Sequence, residues 1–172
     1  MTLKKITNYF KCWLSGFIDG EGCFLVWPHN RRNSFSLAFR IGIRADDLDI
    51  IKKIKQYLGG SYSIVPRSQY NSNWAPIVSY CLGGTKSCLR LVKHLEKYPL
   101  LAKKKQDFEI WREAIYLLLG KEHLKGKRDY LLYLCDKIKK VRQYEKVEMP
   151  EAPKDRQLIL LVGGGNDRTP VS

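Results

Sequence analysis

Asp19 and Glu21 are the only acidic residues among the first forty-five of the chain. They stand two apart in Ile18-Asp19-Gly20-Glu21-Gly22. The stretch before them repeats apolar residues (Ile6, Tyr9, Phe10, Trp13, Leu14, Phe17) at spacings of three and four, as one face of a helix requires. The spacing predicts a helix over 6–20 that stops at the glycine-rich run. A helix C-terminus carries partial negative charge, so carboxylates there cost a few tenths to about 1 kcal/mol. A bound divalent cation would offset that cost, and Mg²⁺ favours one or two carboxylates together with water and phosphate oxygens. The alternative keeps both acids as polar cap residues on an exposed turn.

Other chemistries fit less well. The five cysteines (Cys12, Cys23, Cys81, Cys88, Cys135) are odd in number and none forms a C-x-x-C pair, so idle thiols in a reducing compartment are expected rather than zinc or a disulfide framework. Gly83-Gly84-Thr85-Lys86-Ser87 lacks the spacing of a phosphate loop and reads as a small-residue helix start. An EF-hand beginning at Asp19 would place Asn30 where a bidentate Glu is needed. His94 and His123 are single residues on predicted helices, and Trp13 and Trp111 fall on apolar helix faces.

The elements that would position the acids follow from periodicity. After the first helix come strand-like runs at 23–31 and 34–44, the second alternating Phe35, Leu37, Phe39, Ile41, Ile43 against polar residues. A helix over 46–58 begins with Asp46 and Asp47 and stops at Gly59-Gly60. A hairpin over 61–67 and 76–83, a helix over 85–97 broken at Tyr98-Pro99, and helices over 104–119 and 128–144 complete the pattern. This is an α+β arrangement, a four-stranded antiparallel sheet with helices on one face. Residues 1–147 form one domain. Residues 148–172, with three of the seven prolines and Gly163-Gly164-Gly165, read as a peripheral extension.

Charge narrows the partner. The net charge is +14 on 20.0 kDa, which points to a polyanion, with nucleic acid first and an anionic membrane surface second. No apolar run approaches the roughly 18 residues of a membrane span, and no signal-peptide pattern follows Met1, so an intracellular protein is expected. From Gly22 to Ala45, and again from Ile50 to Leu95, there are basic residues and no acid. These stretches hold all four strands, so the sheet face away from the helices should be basic and polar. A β-ribbon fits the major groove of B-DNA. Trp27, His29, Arg31, Arg32, Ser34, Ser36, Arg40, Arg44 and Arg67 are the candidates to contact it.

The string Trp13-Leu14-Ser15-Gly16-Phe17-Ile18-Asp19-Gly20-Glu21-Gly22 resembles the signature of the LAGLIDADG homing endonucleases. Leu58-Gly59-Gly60, the run from Tyr98 to Phe108, and Lys121-Glu122-His123-Leu124 are also similar to that family, so the resemblance covers about residues 9–144. It implies the αββαββα fold and a metal-dependent DNA endonuclease encoded in a mobile intron, within a chloroplast or mitochondrion. An RNA maturase that assists intron splicing is the alternative on the same fold. The resemblance makes Glu21 the catalytic, metal-holding acid with the Gly20 carbonyl beside it, and Asp19 a weaker catalytic candidate that supports the helix end. It places the catalytic lysine at Lys104, with Lys103 as the alternative or a DNA contact. Mg²⁺ is the implied cofactor, with Mn²⁺ or Ca²⁺ as other occupants. One motif without internal duplication implies a homodimer on a long, roughly palindromic duplex. Its interface would use Trp13, Ser15, Gly16, Asp19 and Gly20. Where some members carry a water-positioning glutamine this chain has Ile43, with Arg44 beside it, so that part of the mechanism does not transfer.

Overall fold

The computed structural model describes residues 6–29, 34–66 and 75–142. Helix α1 (Asn8–Glu21) starts where the Thr7 side chain accepts from the Phe10 amide at 3.2 Å, a cap that leaves fewer end groups unpaired. Strands β1 (Gly22–Pro28) and β2 (Phe35–Arg44) follow. A 3₁₀ turn (Ala45–Asp47) then leads into α2 (Leu48–Leu58), and β3 (Ser61–Val65) and β4 (Ile77–Gly83) complete the sheet. Helices α3 (Thr85–Lys97), α4 (Lys104–Leu119) and α5 (Arg128–Val141) close the described chain. The sheet order is β1-β2-β4-β3, antiparallel throughout. The expected α+β class and element order are therefore observed. The strands are shorter than their sequence patterns at the ends that meet loops, and Asp46 and Asp47 lie in the 3₁₀ turn rather than in α2.

The core lies between the sheet and the helices because alternate strand residues point one way. Phe24, Phe39, Ile41, Val78, Tyr80 and Leu82 are all essentially inaccessible, as are Ile51, Ile54 and Leu58 on the stripe of α2. Phe24 sits at the centre, with ring centroids 5.2 Å from Phe39 and 5.1 Å from Trp111 of α4. The Trp111 indole N–H donates to the Leu25 carbonyl at 3.0 Å, so the one polar atom on a buried ring is satisfied. Asp107, also buried, accepts from Arg142 Nε at 2.9 Å, and the same guanidinium donates to the Phe24 carbonyl. This pairing ties α4, the end of α5 and β1 together.

Gly22 is the joint between α1 and β1. A Cβ there would lie 2.7 Å from the Ile18 carbonyl oxygen and 2.8 Å from a Phe39 ring carbon, so only glycine lets the chain leave the helix straight into the sheet. Neither neighbour can yield, because one is helix backbone and the other is a core ring. Gly22→Ala should therefore cost about 1–3 kcal/mol of stability, measured as a lowered urea midpoint with an unchanged slope.

Candidate functional site

Asp19, in the last turn of α1, uses one carboxylate oxygen, Oδ2, to accept the backbone N–H groups of Leu101 (2.8 Å) and Ala102 (3.0 Å). Residues 98–103 form the strap between α3 and α4, broken by Pro99. Its two amides have no helical partner, and a carboxylate is the strong acceptor for such a pair. The other oxygen, Asp19 Oδ1, is buried with no hydrogen-bond partner. Fastening the strap carries α4 to the end of α1, and there Lys104 Nζ donates to the Gly20 carbonyl at 3.0 Å. Of the two candidate lysines, Lys104 is the one brought to the motif. Lys103 is exposed at the start of α4. Glu21 is exposed, and its carboxylate has no partner among the described residues. The end of α1 thus presents a free carboxylate, a peptide carbonyl and a lysine ammonium within one turn.

A second, buried set of polar groups fixes the other side of the strap. Ser15 donates its hydroxyl proton to the Tyr98 carbonyl at 2.7 Å, so it must accept from His94 Nε2, 3.2 Å away. His94 Nδ1 is then free to accept from the Tyr57 hydroxyl at 3.2 Å. Every member is satisfied with the ring neutral, and His94 is 3% exposed. Burial, assisted by the nearby Lys11 charge, pushes the imidazole down to about 4 from 6.5. Nothing in the linear sequence marks this set, whose members lie 37 and 79 residues from His94.

This set corrects one expectation. Ser15 does not stand on the outward side of α1, because it is buried and committed to His94 and the strap. Trp13 is partly buried and stacked on Phe10 and Phe17, with centroids 5.6 and 4.8 Å apart. Of the residues expected to face a second copy, Gly16 and Gly20 are open: a Cβ on either would meet nothing within 4 Å.

On the sheet, the face opposite the helices is formed by Cys23, Leu25 and Trp27 of β1, Ser36, Ala38, Arg40, Gly42 and Arg44 of β2, and their partners on β4 and β3. This face carries less charge than expected. Among the described strands, arginine occurs only at 40 and 44, and Arg44 is bound to Asp46, with Nη2 to Oδ2 at 2.7 Å and Nε to Oδ1 at 3.1 Å. Arg40 is exposed and has no partner among the described residues. Trp27 is 36% exposed and pairs in register with Ser36, whose hydroxyl lies 2.6 Å from His29 Nε2. Ser34 is partly exposed, and its carbonyl accepts the His29 amide at 2.9 Å. Arg31, Arg32 and Arg67 lie outside the described residues, as does the expected extension over 148–172. Ile43, at the glutamine position, packs against the core.

The donors at the end of α1 suit a hard cation. Glu21 offers a carboxylate, and the Gly20 carbonyl keeps a second lone pair beside its bond to Lys104. Among the described residues no group of three or more His, Cys, Asp or Glu side chains could hold a metal alone. A cation held there would need further ligands, such as water, a phosphate or a second copy. No helix among the described residues is long and apolar enough to cross a membrane.

Comparison with known proteins places this geometry. A family model described as LAGLIDADG endonuclease matches residues 14–115. The "Probable intron-encoded endonuclease 3" of Neurospora crassa is 34% identical over 115 residues, covering 64% of this chain. The chain spans 21% of that protein's length. Among solved structures, the LAGLIDADG meganuclease I-AabMI bound to uncleaved DNA is 32% identical with a TM-score of 0.60, over 73% of this chain and 43% of that one. The archaeal intron-encoded homing endonuclease I-Vdi141I, complexed with DNA, shares the fold with a TM-score of 0.66 at 24% identity, over 82% of this chain and 90% of that one.

The His94 set generates a pH prediction. An unfolded histidine binds a proton below pH 6.5, while the folded one resists until about 4. The unfolded state therefore binds more protons in that interval, and stability is lost as pH falls through it, by about 3 kcal/mol in all. Denaturant unfolding from pH 7 down to 5 should reveal this slope, and His94→Gln should flatten it.

Proposed function

Because the chain belongs to the LAGLIDADG endonuclease family, whose model matches residues 14–115, we propose that it is an intron-encoded homing endonuclease that cuts both strands of a specific duplex DNA. The observation that carries this reading is the end of α1, where an unpaired Glu21 stands beside the Gly20 carbonyl and the Lys104 ammonium. Intron encoding is supported by the name of the Neurospora relative, and an organellar intron is the setting that the family resemblance implies. The maturase alternative is not favoured by these likenesses.

Glu21 and the Gly20 carbonyl would hold Mg²⁺, with Mn²⁺ or Ca²⁺ as alternative occupants. Such a cation would supply Lewis acidity toward the phosphodiester and ease loss of a proton from the attacking water. Lys104 presents its charge beside the Gly20 carbonyl, where negative charge develops on the scissile phosphate and the leaving 3′ oxygen. Asp19 is a positioning residue, since both of its amide contacts hold the strap that delivers Lys104. Arg40, free on the sheet, is placed to read a base edge in the major groove, and Trp27, Ser36 and His29 line the same face farther from Glu21. Ser34 and Lys103, together with Arg31, Arg32 and Arg67 outside the described residues, would add further DNA contacts.

Two strands need two active centres, so a homodimer on a roughly palindromic site is the working unit. The open surface at Gly16 and Gly20 supports a close helix-to-helix seam. Joining two such seams would bring two Glu21 carboxylates together at the centre of the DNA site.

Purified protein incubated with a randomised duplex library and Mg²⁺ should yield double-strand cuts at one family of sequences. Glu21→Gln should bind the same sequences and leave them intact. Cutting by the variant would remove Glu21 from the chemistry, while tight binding of intron RNA with no DNA cleavage by either protein would favour the maturase. Binding should also weaken by about 10³ or more between 50 and 200 mM salt if some six phosphates are neutralised. A flat salt dependence would contradict a phosphate-tracking surface.

A further inference from the structure

Cys23, Arg40 and Cys81 share one row of the open sheet face. Arg40 of β2 is the direct cross-strand partner of Cys23 on β1 and of Cys81 on β4. Both thiols are partly exposed. Cys88 and Cys135 are buried instead, and desolvation pushes their thiols up to about 12 and about 11. Thiols so placed are inert. The reachable cysteines are therefore Cys12, exposed on α1, and the two that flank the unpaired arginine of the sheet.

We propose that Cys23 and Cys81 are modification sites for small anionic disulfides, oxidised glutathione being the type, and that their modification closes the sheet face to duplex DNA. The proposal rests on the reading of that face as the DNA-contacting surface.

Direct cross-strand neighbours on one face lie about 4.5–5.5 Å apart at Cβ, so a group added to either sulfur sits against the Arg40 side chain. The two cysteines are separated by two strand spacings, about 9–10 Å, which exceeds the reach of a disulfide. Each must therefore exchange with an external partner. In that exchange the cysteine thiolate attacks one sulfur of the glutathione disulfide and a protein–glutathione S–S bond forms. The original S–S bond breaks, and the second glutathione leaves as a thiolate that takes up the proton the cysteine lost. The disulfide is the only co-reactant, and a dithiol reverses the step. Each adduct is a tripeptide with two carboxylates. It fills the space a base pair would occupy, and its carboxylates compete with phosphates and base edges for the one unpaired guanidinium of the described strands. Arg44 cannot substitute for it, being held by Asp46.

The test uses the full chain carrying Cys12→Ser. It is treated with oxidised glutathione and weighed by intact mass spectrometry. Binding to a fluorescent random-sequence duplex is then measured before treatment, after it, and after dithiothreitol, with far-ultraviolet circular dichroism on each sample. The expected result is two adducts, an unchanged spectrum, affinity lower by about tenfold or more, and full recovery on reduction. Adding Cys23→Ser and Cys81→Ser should bring the ratio of treated to untreated affinity to one, whatever its baseline. Two adducts with unaltered affinity, no adducts on the folded chain, loss of binding only with loss of the spectrum, or an equal loss in the variant lacking both thiols would each overturn the proposal. A reduced chain that fails to bind duplex DNA would instead overturn the DNA reading, and the gate with it.

Discussion

The carboxylate of Asp19 joins the end of α1 to the strap before α4, and the placement of the other charged groups at that end follows from the join. Two amides that no helix or strand satisfies converge on one oxygen, at 2.8 and 3.0 Å. Bonds to an ionised acceptor are roughly twice as strong as neutral ones, so the contact can hold a six-residue segment against a helix end whose dipole disfavours the acid. The join works only because α1 keeps its helical geometry through Glu21 and then turns at once into β1, which Gly22 alone permits. Helix, strap and strand meet at one point, and the free Glu21 carboxylate is left at that point.

Two kinds of polar group can be distinguished by their satisfaction. His94, Ser15, Tyr57, Asp107 and Arg142 lie inside the structure or at its margin, and each has its partners. They contribute stability and a unique packing of α1 to α5. Glu21 and Arg40 are exposed and hydrated, so they keep their hydrogen-bonding capacity for a ligand, whereas Asp19 Oδ1 and His123 Nδ1 are the buried side-chain atoms without a partner among the described residues. The chain thus separates the network that holds α1 in place from the groups that α1 presents.

The helices were legible where punctuation is strong. α3 and α4 have the bounds their sequence implies, because Gly83-Gly84 opens one and Pro99 separates the two. The strand parity of β2 was equally clear, since Leu37, Phe39 and Ile41 are buried and Phe35 and Ile43 half-buried, with Ala38 the one residue of the other parity that is also buried. Ser15 was misread because a small residue in a helix can serve either a close helix neighbour or a buried hydrogen bond. The partner that decides between them is 79 residues away. The same holds for Lys104: three consecutive lysines look alike until the Asp19 join sets the rotation of α4. The charge of the sheet face was overstated for a different reason. An acid-free interval was counted as if it lay wholly in strands, whereas its basic residues lie on helices, as Lys52, Lys53, Lys86, Arg90 and Lys93 do, or outside the described residues.

That redistribution of charge changes how such a surface would work. Long-range attraction to a polyanion needs net charge near the surface but not at its centre, because the field of +14 acts over a Debye length of about 8 Å and beyond at low salt. Close approach to base edges needs the opposite, a face without bulky, strongly hydrated groups. The central rows would meet that need with Cys23, Cys81, Ser61, Ser79 and Gly42, all small, around the exposed Arg40. A face of small side chains with one exposed arginine would let a groove come down onto the sheet and would make that arginine's contact decisive. It would also leave the contact vulnerable, since the groups that flank Arg40 are thiols rather than inert methyls.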